Sequence, residues 1–373
     1  MHIQPFQAVY PKVEYITSAD SFFQSVREEY QEYVKSGFFT KASQEGIYIY
    51  EISTLERSYL GFIASTPIEE YLNGNIKKHE NTIADKEQQQ MRLLLKRNAQ
   101  VKPVLLTYHG NDKINSFLKN YTEKNEHFLD FHFEASQESH KFWQITDGKM
   151  IRKLQDFFET KVSAAYVADG HHRTSTAALM DGIHSKKNNY SYQQLLTAYF
   201  PAESLDILEF NRIVDINIDQ SYIQLIVKLA KIFDIDPLSG PSKPRKKHEI
   251  VMQLKNEWFL LQFKDIILEK HRLDRVILDV QLLNDYVLRD IFEIYDVRTD
   301  PRLKYLEGFK GLEKLVEKSV KADNRISFCM FPLDKKDFFA ISDANEVLPP
   351  KSTCFYPRIK NGLIVKQFYR SIK

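Results

Sequence analysis

The sequence predicts an α+β fold built on a mixed sheet with helices. Three observations predict it. Segments of helical period and short apolar strands follow one another without a clean βαβ repeat. From about Asp219 the character shifts, toward the Pro-, Gly- and Lys-rich loop "PLSGPSKPRKKHE". Between these, "SAAYVADGHHRTSTAALMDGIHS" reads as strand, turn and helix. The expected domains are an α+β core over 1–218 and a second α+β region over 219–373, expected to pack on it.

The elements follow in order. Residues 19–37 place Phe22, Val26, Tyr30, Tyr33 and Val34 at helical spacing, and Gly37 is the stop. "EGIYIYEIS" and "RSYLGFIAS" form a strand pair, and "TPIEEYLNG" a short helix or turn. A long helix runs from about Thr82, capped by Asn81 or Thr82. "KPVLLTYHG" is a strand and "DKINSFLKNYTEK" a helix. "HFLDFHFEAS" and "HKFWQIT" are strands, and "GKMIRKLQDFFETKV" is a helix. "YQQLLTAYFPA" and "LDILEFNRIVDI" are the strands after the motif region. Further on, "QSYIQLIVKLAKIFDID" is a helix and "IVMQLKNEWFLLQFK" a hairpin turning near Asn256-Glu257. "LDVQLLNDYVLRDIF" is a helix and "RISFCMFPL" a strand.

Composition narrows the function classes. The chain is 43% hydrophobic and 27% charged, as globular proteins are. A formal net charge of +2 argues against a general polyanion binder, so nucleic acid is a disfavoured partner. Cys329 and Cys354 make no disulfide framework, and no secretory leader follows Met1; a cytoplasmic chain with reduced thiols is expected. No apolar run nears the roughly 20 residues that span a bilayer, so no membrane partner is expected.

The turn after Tyr166-Val167-Ala168 carries the chemistry. Gly170 permits a tight turn, and Asp169 can cap the helix start. Free N–H groups and the helix dipole there suit a phosphate. Arg173 can fork onto phosphate oxygens, His171 and His172 can donate or carry a proton, and Thr174 keeps the turn small and polar. Neither a P-loop nor GxGxxG is present. In "KKHENTIADKE", Glu80 is a candidate general base or magnesium ligand, and His79 can pair with it or with phosphate. HExxH is absent, and the histidines and carboxylates lack a zinc spacing. In the tail loop "PPKSTCFYPRIKNG", Lys351, Ser352, Thr353 and Arg358 are compact contacts for phosphate or carboxylate. Arg212 is either a site residue or a buried salt-bridge partner, and Cys329 is a core residue.

"VADGHHRTSTAAL", "KKHENT", "EFNRIV" and "LPPKSTCFYPRIKNGL" resemble the DUF1015 family. That family has an ADGHHR-type turn, an HE-x-T segment and a P-KST-F-P-K-like loop. Here these fall, in family order, at Ala168–Arg173, His79–Thr82 and Pro350–Pro357. The Pro-Pro-Tyr-Asp-Val-like segment of relatives is replaced by "YPKVEYITSAD", and Arg358 stands at a basic position held by lysine in relatives. The GHHR turn is similar to the phosphate-holding turn of the ParB/sulfiredoxin superfamily, which includes free-serine kinases. The resemblance implies a ParB/sulfiredoxin-like nucleotide-binding core and a kinase that uses ATP or ADP with Mg2+. The implied acceptor is a small hydroxy amino acid, free L-serine being the example that the free-serine kinases of that superfamily offer. On this reading Glu80, Asp169 and His172 are catalytic. His79, Gly170, His171, His172, Arg173 and Thr174 hold the nucleotide, and Glu80 and Asp169 the metal. Lys351, Ser352, Thr353 and Arg358 bind the substrate. The alternatives are a nucleotide-binding sensor without turnover and a metal-dependent hydrolase.

Overall fold

The computed structural model describes residues 1–16, 18–184, 192–216, 221–320 and 324–368. The fold is α+β. It divides into two compact units, Met1–Asp206 with Pro357–Lys373, and Ile207–Tyr356. The sequence placed a single division at 218/219, which lies outside the described residues. The first unit reclaims the C-terminal segment by backbone pairing: Lys366 with Gln100, Gln367 with Ala99, and Val365 with Val9.

The first unit is organised on an eight-stranded mixed sheet. Its strands lie in the order Ile76–Lys77, Ala165–Asp169, Val104–Tyr108, Gln194–Pro201, Ser58–Pro67, Ile47–Ser53, Glu138–Ile145 and Leu129–Phe133. Among the described residues six α-helices accompany it: α1 (Ala19–Lys35), α2 (Glu69–Leu72), α3 (Ala84–Arg97), α4 (Asp112–Lys124), α5 (Gly148–Lys161) and α6 (His171–His184). The central strands read as near-continuous apolar runs because both of their faces are covered. Tyr48, Ile49 and Tyr50 are all fully buried. Ile114 and Leu118 of α4 and Ile151, Leu154 and Phe158 of α5 pack on one core with Phe62, Leu106 and Val167.

Two local features aim the site. Ala165–Asp169 runs antiparallel to Val104–Tyr108 with a register shift between Val167 and Asp169. Such an irregularity re-aims the side chain beside it. The chain then turns through Gly170 into α6, which packs against α3. Helix α3 starts later than expected: its N-cap is Ile83, which offers no side-chain acceptor, in place of Asn81 or Thr82.

The second unit holds a six-stranded antiparallel sheet. Its order is Phe233–Leu238, Glu257–Phe263, Glu249–Leu254, Arg325–Met330, Phe210–Asp215 and Leu303–Glu307. The helix expected through "IFDID" covers only Tyr222–Leu229, and Phe233–Leu238 is an edge strand. An edge position tolerates Pro237, which cannot donate to a ladder. The expected hairpin is present, and Lys255 takes φ +54° in its turn. Cys329 and Cys354 are buried and are not joined in a disulfide, and burial pushes the Cys329 thiol up to about 12. Among the described residues no helix is long and apolar enough to cross a membrane.

Candidate functional site

The HENT and ADGHHR segments meet in space. His79 and His171 pack edge to face, ring centroids 4.4 Å apart. Glu80 Oε2 lies 3.9 Å from His171 Nδ1. The Ile83 N–H points at His172 Nδ1, 3.5 Å away. Ser175 donates to Glu87, so α3 and α6 are tied on the same side. Burial pushes the His171 imidazole down to about 3, against the opposing pull of Asp169. Burial, with His171 as neighbour, also holds His79 well below its ordinary value. Both rings are therefore neutral near pH 7, and neither supplies a positive charge to a phosphate.

That neutrality predicts a pH dependence. The unfolded chain protonates both rings below about pH 6.5, whereas the folded chain does so only at much lower pH. The unfolded state then binds more protons, so stability falls as pH falls below about 6.5, by up to about 1.4 kcal/mol per pH unit per ring. Urea melts between pH 7 and 5 should show this slope, and His171→Gln should remove about half of it. A flat wild-type profile would contradict neutral burial.

A different set of residues lines the other side of the α6 start. Asp169 Oδ2 accepts from Lys102 Nζ at 2.9 Å and from Arg173 Nη2 at 3.0 Å. Arg173 Nη1 also donates to the carbonyls of Lys102, at 3.1 Å, and Pro103. Protein oxygens thus take Arg173 Nη1 and one Nη2 contact, so the guanidinium offers a phosphate its charge more than a free fork. Burial alone would raise the Asp169 carboxyl, but Lys102, Arg173 and Arg358 outweigh it and hold the group well below the usual carboxylate range. Burial pushes the Lys102 ammonium down to about 8, with Asp169 opposing.

Gly170 serves Arg173 rather than leaving room for a ligand. Its φ is +121°, and an added Cβ would lie 2.9 Å from Arg173 Nη2, which its acceptors hold in place. Gly170→Ala should cost about 1–3 kcal/mol from backbone strain alone, measured by thermal or urea melts. Thr174 is wholly buried, and its hydroxyl donates to the Gly170 carbonyl at 3.1 Å. It closes the first helical turn.

Lys102, Asp169 and Arg173 open onto a cavity of about 260 Å³. Arg27, Arg97, Gln100, Thr176 and Asn361 share its wall. Arg97, Lys102 and Arg27 were not singled out in the sequence. Arg97 ends α3 and Lys102 precedes a proline at a strand start, and no spacing rule joins those places to the ADGHHR turn. Glu80, His79, His171 and His172 are not in this wall.

The remaining expected residues divide between the units. Arg358 belongs to the first, where its charge acts on Lys102, Asp169 and Arg173. Lys351, Ser352 and Thr353 belong to the second. There Arg212 is fully buried and donates to the carbonyls of Phe210 and, at 2.9 Å, Lys351. It therefore braces the loop without the carboxylate partner considered from the sequence. Lys351 takes φ +58°, with Nζ 5.0 Å from the Phe210 ring centre, and Ser352 Oγ donates to Pro349 at 2.6 Å.

Among the described residues no group of three or more His, Cys, Asp or Glu could hold a metal ion. Asp169 is already shared by Lys102 and Arg173. A cation there would meet two positive charges, so Asp169 is a poor ligand for the expected Glu80–Asp169 magnesium site, and no larger ligand set stands among the described residues.

Comparisons with known proteins complete the description. The profile of a family described as "Protein of unknown function (DUF1015)" matches residues 7–283. No curated protein matches. A solved free serine kinase in complex with AMP is 11% identical, covers 79% of this chain and 86% of its own, and superposes with a TM-score of 0.39. SbnI with a C-terminal truncation, from Staphylococcus aureus, is 8% identical over 83% and 84%, with a TM-score of 0.38. A conserved hypothetical protein from Pyrococcus furiosus is 12% identical over 82% and 95%, with a TM-score of 0.39. Superpositions this loose assign no activity or ligand to this chain.

Proposed function

The chain belongs to the DUF1015 family, and from that premise we propose a cytoplasmic, nucleotide-dependent phosphotransferase whose acceptor is a small hydroxy acid such as free serine. One observation carries this reading. Arg27, Arg97, Lys102 and Arg173 line a cavity in which Asp169 is the only carboxylate among the described residues, where α6 begins. That charge balance suits an oxyanion ligand.

In this reading the phosphates of ATP or ADP enter the cavity. Asp169 and the carbonyls of Lys102 and Pro103 hold Lys102 and Arg173 in place beforehand. Preset cations need little reorganisation as charge shifts in the transition state. Glu80 takes the proton from the acceptor hydroxyl. The hydroxyl oxygen bonds to the terminal phosphorus, and the bond from that phosphorus to the nucleotide's bridging oxygen breaks. Asp169 is a positioning residue here, because the three cations around it make it a poor base. His171, neutral, lies 3.9 Å from Glu80, beyond hydrogen-bond distance, and so does not compete for its proton-accepting oxygen. No step is assigned to magnesium.

A sensor without turnover is the second reading. It is favoured by Glu80 lying outside the residues of the cavity wall. Turnover separates the two. Purified protein is given ATP or ADP with L-serine and other small hydroxy acids, and products are read by mass spectrometry. A phosphorylated acid supports the transferase. Nucleotide binding without product supports the sensor, and neither result overturns both.

A further inference from the structure

Among the described residues the cavity wall contains one cation, Arg97, with no ion pair within contact distance and unused N–H donors. Arg97 is nine-tenths buried, at 9% exposure. Its Nε and Nη2 are buried without a hydrogen-bond partner. Lys102 and Arg173, on the same wall, both have Asp169. A buried guanidinium with unused donors is costly in a folded chain. It lies at the C-terminal end of α3, where the helix dipole favours a cation, but the dipole does not satisfy its N–H groups.

The charges acting on Arg97 differ from those acting on its neighbours. Glu28 and Arg27 of α1 act on Arg97, and Asp169 acts on both Lys102 and Arg173 but not on Arg97, while Arg27 is felt by Arg173 as well. The wall therefore has one cationic focus braced by Asp169, at Lys102 and Arg173, and a second at Arg97, which Asp169 does not pair with. A ligand set filling it would carry two separate anionic groups. A planar fork with unused donors matches a carboxylate.

Resting on the phosphotransferase reading, we propose that Arg97 binds the carboxylate of the hydroxy-acid acceptor, while the Lys102–Arg173 focus takes phosphate. Arg97 then selects acceptors that carry a carboxylate beside the hydroxyl and rejects simple alcohols. The uncompensated charge is the cost of that selectivity in the empty protein.

The test uses the full-length chain, Arg97→Met and Arg97→Lys. Calorimetric titrations use ADP, inorganic phosphate, L-serine, L-threonine, D-glycerate and L-lactate, and each variant is also melted without ligand. Arg97→Met should weaken carboxylate binding about 10- to 100-fold, the worth of a hydrogen bond to a charged group, and leave ADP binding close to wild type. Arg97→Lys should recover part of the loss. The empty Arg97→Met protein should melt at or above the wild-type temperature, because an unpaired buried charge has gone.

Unchanged carboxylate affinity in Arg97→Met, with ADP still bound, overturns this assignment and leaves the phosphotransferase standing. So does a lower melting temperature with all probes weakened alike, which marks a structural arginine. Arg97-dependent binding of phosphate alone moves the phosphate to this focus and also overturns it. Failure of wild type to bind any probe overturns both readings.

Discussion

Asp169→Asn is expected to destabilise the protein by about 3 kcal/mol, the loss seen when one partner of a buried ion pair is removed. The substitution keeps the shape of the side chain and removes only its charge. Oδ2 is the shared acceptor for Lys102 and Arg173, and the side chain is 24% exposed. Without the charge, Lys102, Arg173 and Arg358 repel one another across the turn into α6. Arg173 also loses one of the anchors that hold it over the Lys102 and Pro103 carbonyls. Urea denaturation in chloride buffer measures the loss. Added phosphate should restore part of it, because an oxyanion can replace the missing charge.

The pH behaviour of that loss has a definite sign. The carboxyl is held below its unfolded value of about 3.9, so its contribution is complete above that pH and disappears as pH falls through the folded value. The difference between wild type and Asp169→Asn should therefore be largest near pH 5 and shrink toward pH 8, because Lys102, already pushed down to about 8 beside Asp169, loses its proton more readily once that charge is gone. A loss below about 1 kcal/mol, the range of exposed pairs, would mean that solvent already screens the cluster.

Glu80→Gln is expected to lower turnover by about 10²- to 10⁴-fold, the usual contribution of a general base. Glutamine is isosteric, so the contact near His171 survives while proton acceptance does not. The glutamate side chain is 34% exposed, which leaves it open to an acceptor hydroxyl. ADP affinity should hardly change, because the nucleotide phosphates are assigned to the cavity wall. Unchanged turnover in this variant would remove Glu80 from the mechanism. Lost turnover together with lost ADP binding would place it in the binding site instead.

Much of this was legible in the sequence because it depends on local patterning. Phe22, Val26 and Tyr30 recur at helical spacing and are buried in α1. The alternation in "LDFHF" reads directly as a strand, and Leu129, Phe131 and Phe133 are its buried side. The strand–glycine–helix turn at Asp169–Arg173 follows from the need for a positive φ at Gly170. Local patterning failed at "IFDID", where pairing with Glu257–Phe263 overrode helical spacing. It also failed at the α3 cap, where Ile83 begins the helix with no side-chain acceptor.

The sequence by itself determined the α+β class, the family and the residue types gathered at the turn. Only the tertiary structure decided what those residues do. Arg173 and Asp169 are four residues apart and would look available on any isolated helix. In the fold, Lys102 and two carbonyls claim them, from a segment about seventy residues earlier in the chain. His171 looked like a proton carrier until burial against His79 made it neutral. Arg97 looked like an ordinary basic helix end until the fold placed it, without a partner, on the wall of a cavity. Charge, hydrogen-bond satisfaction and pKa depend on neighbours brought together from distant parts of the chain, and no spacing rule along one segment encodes them.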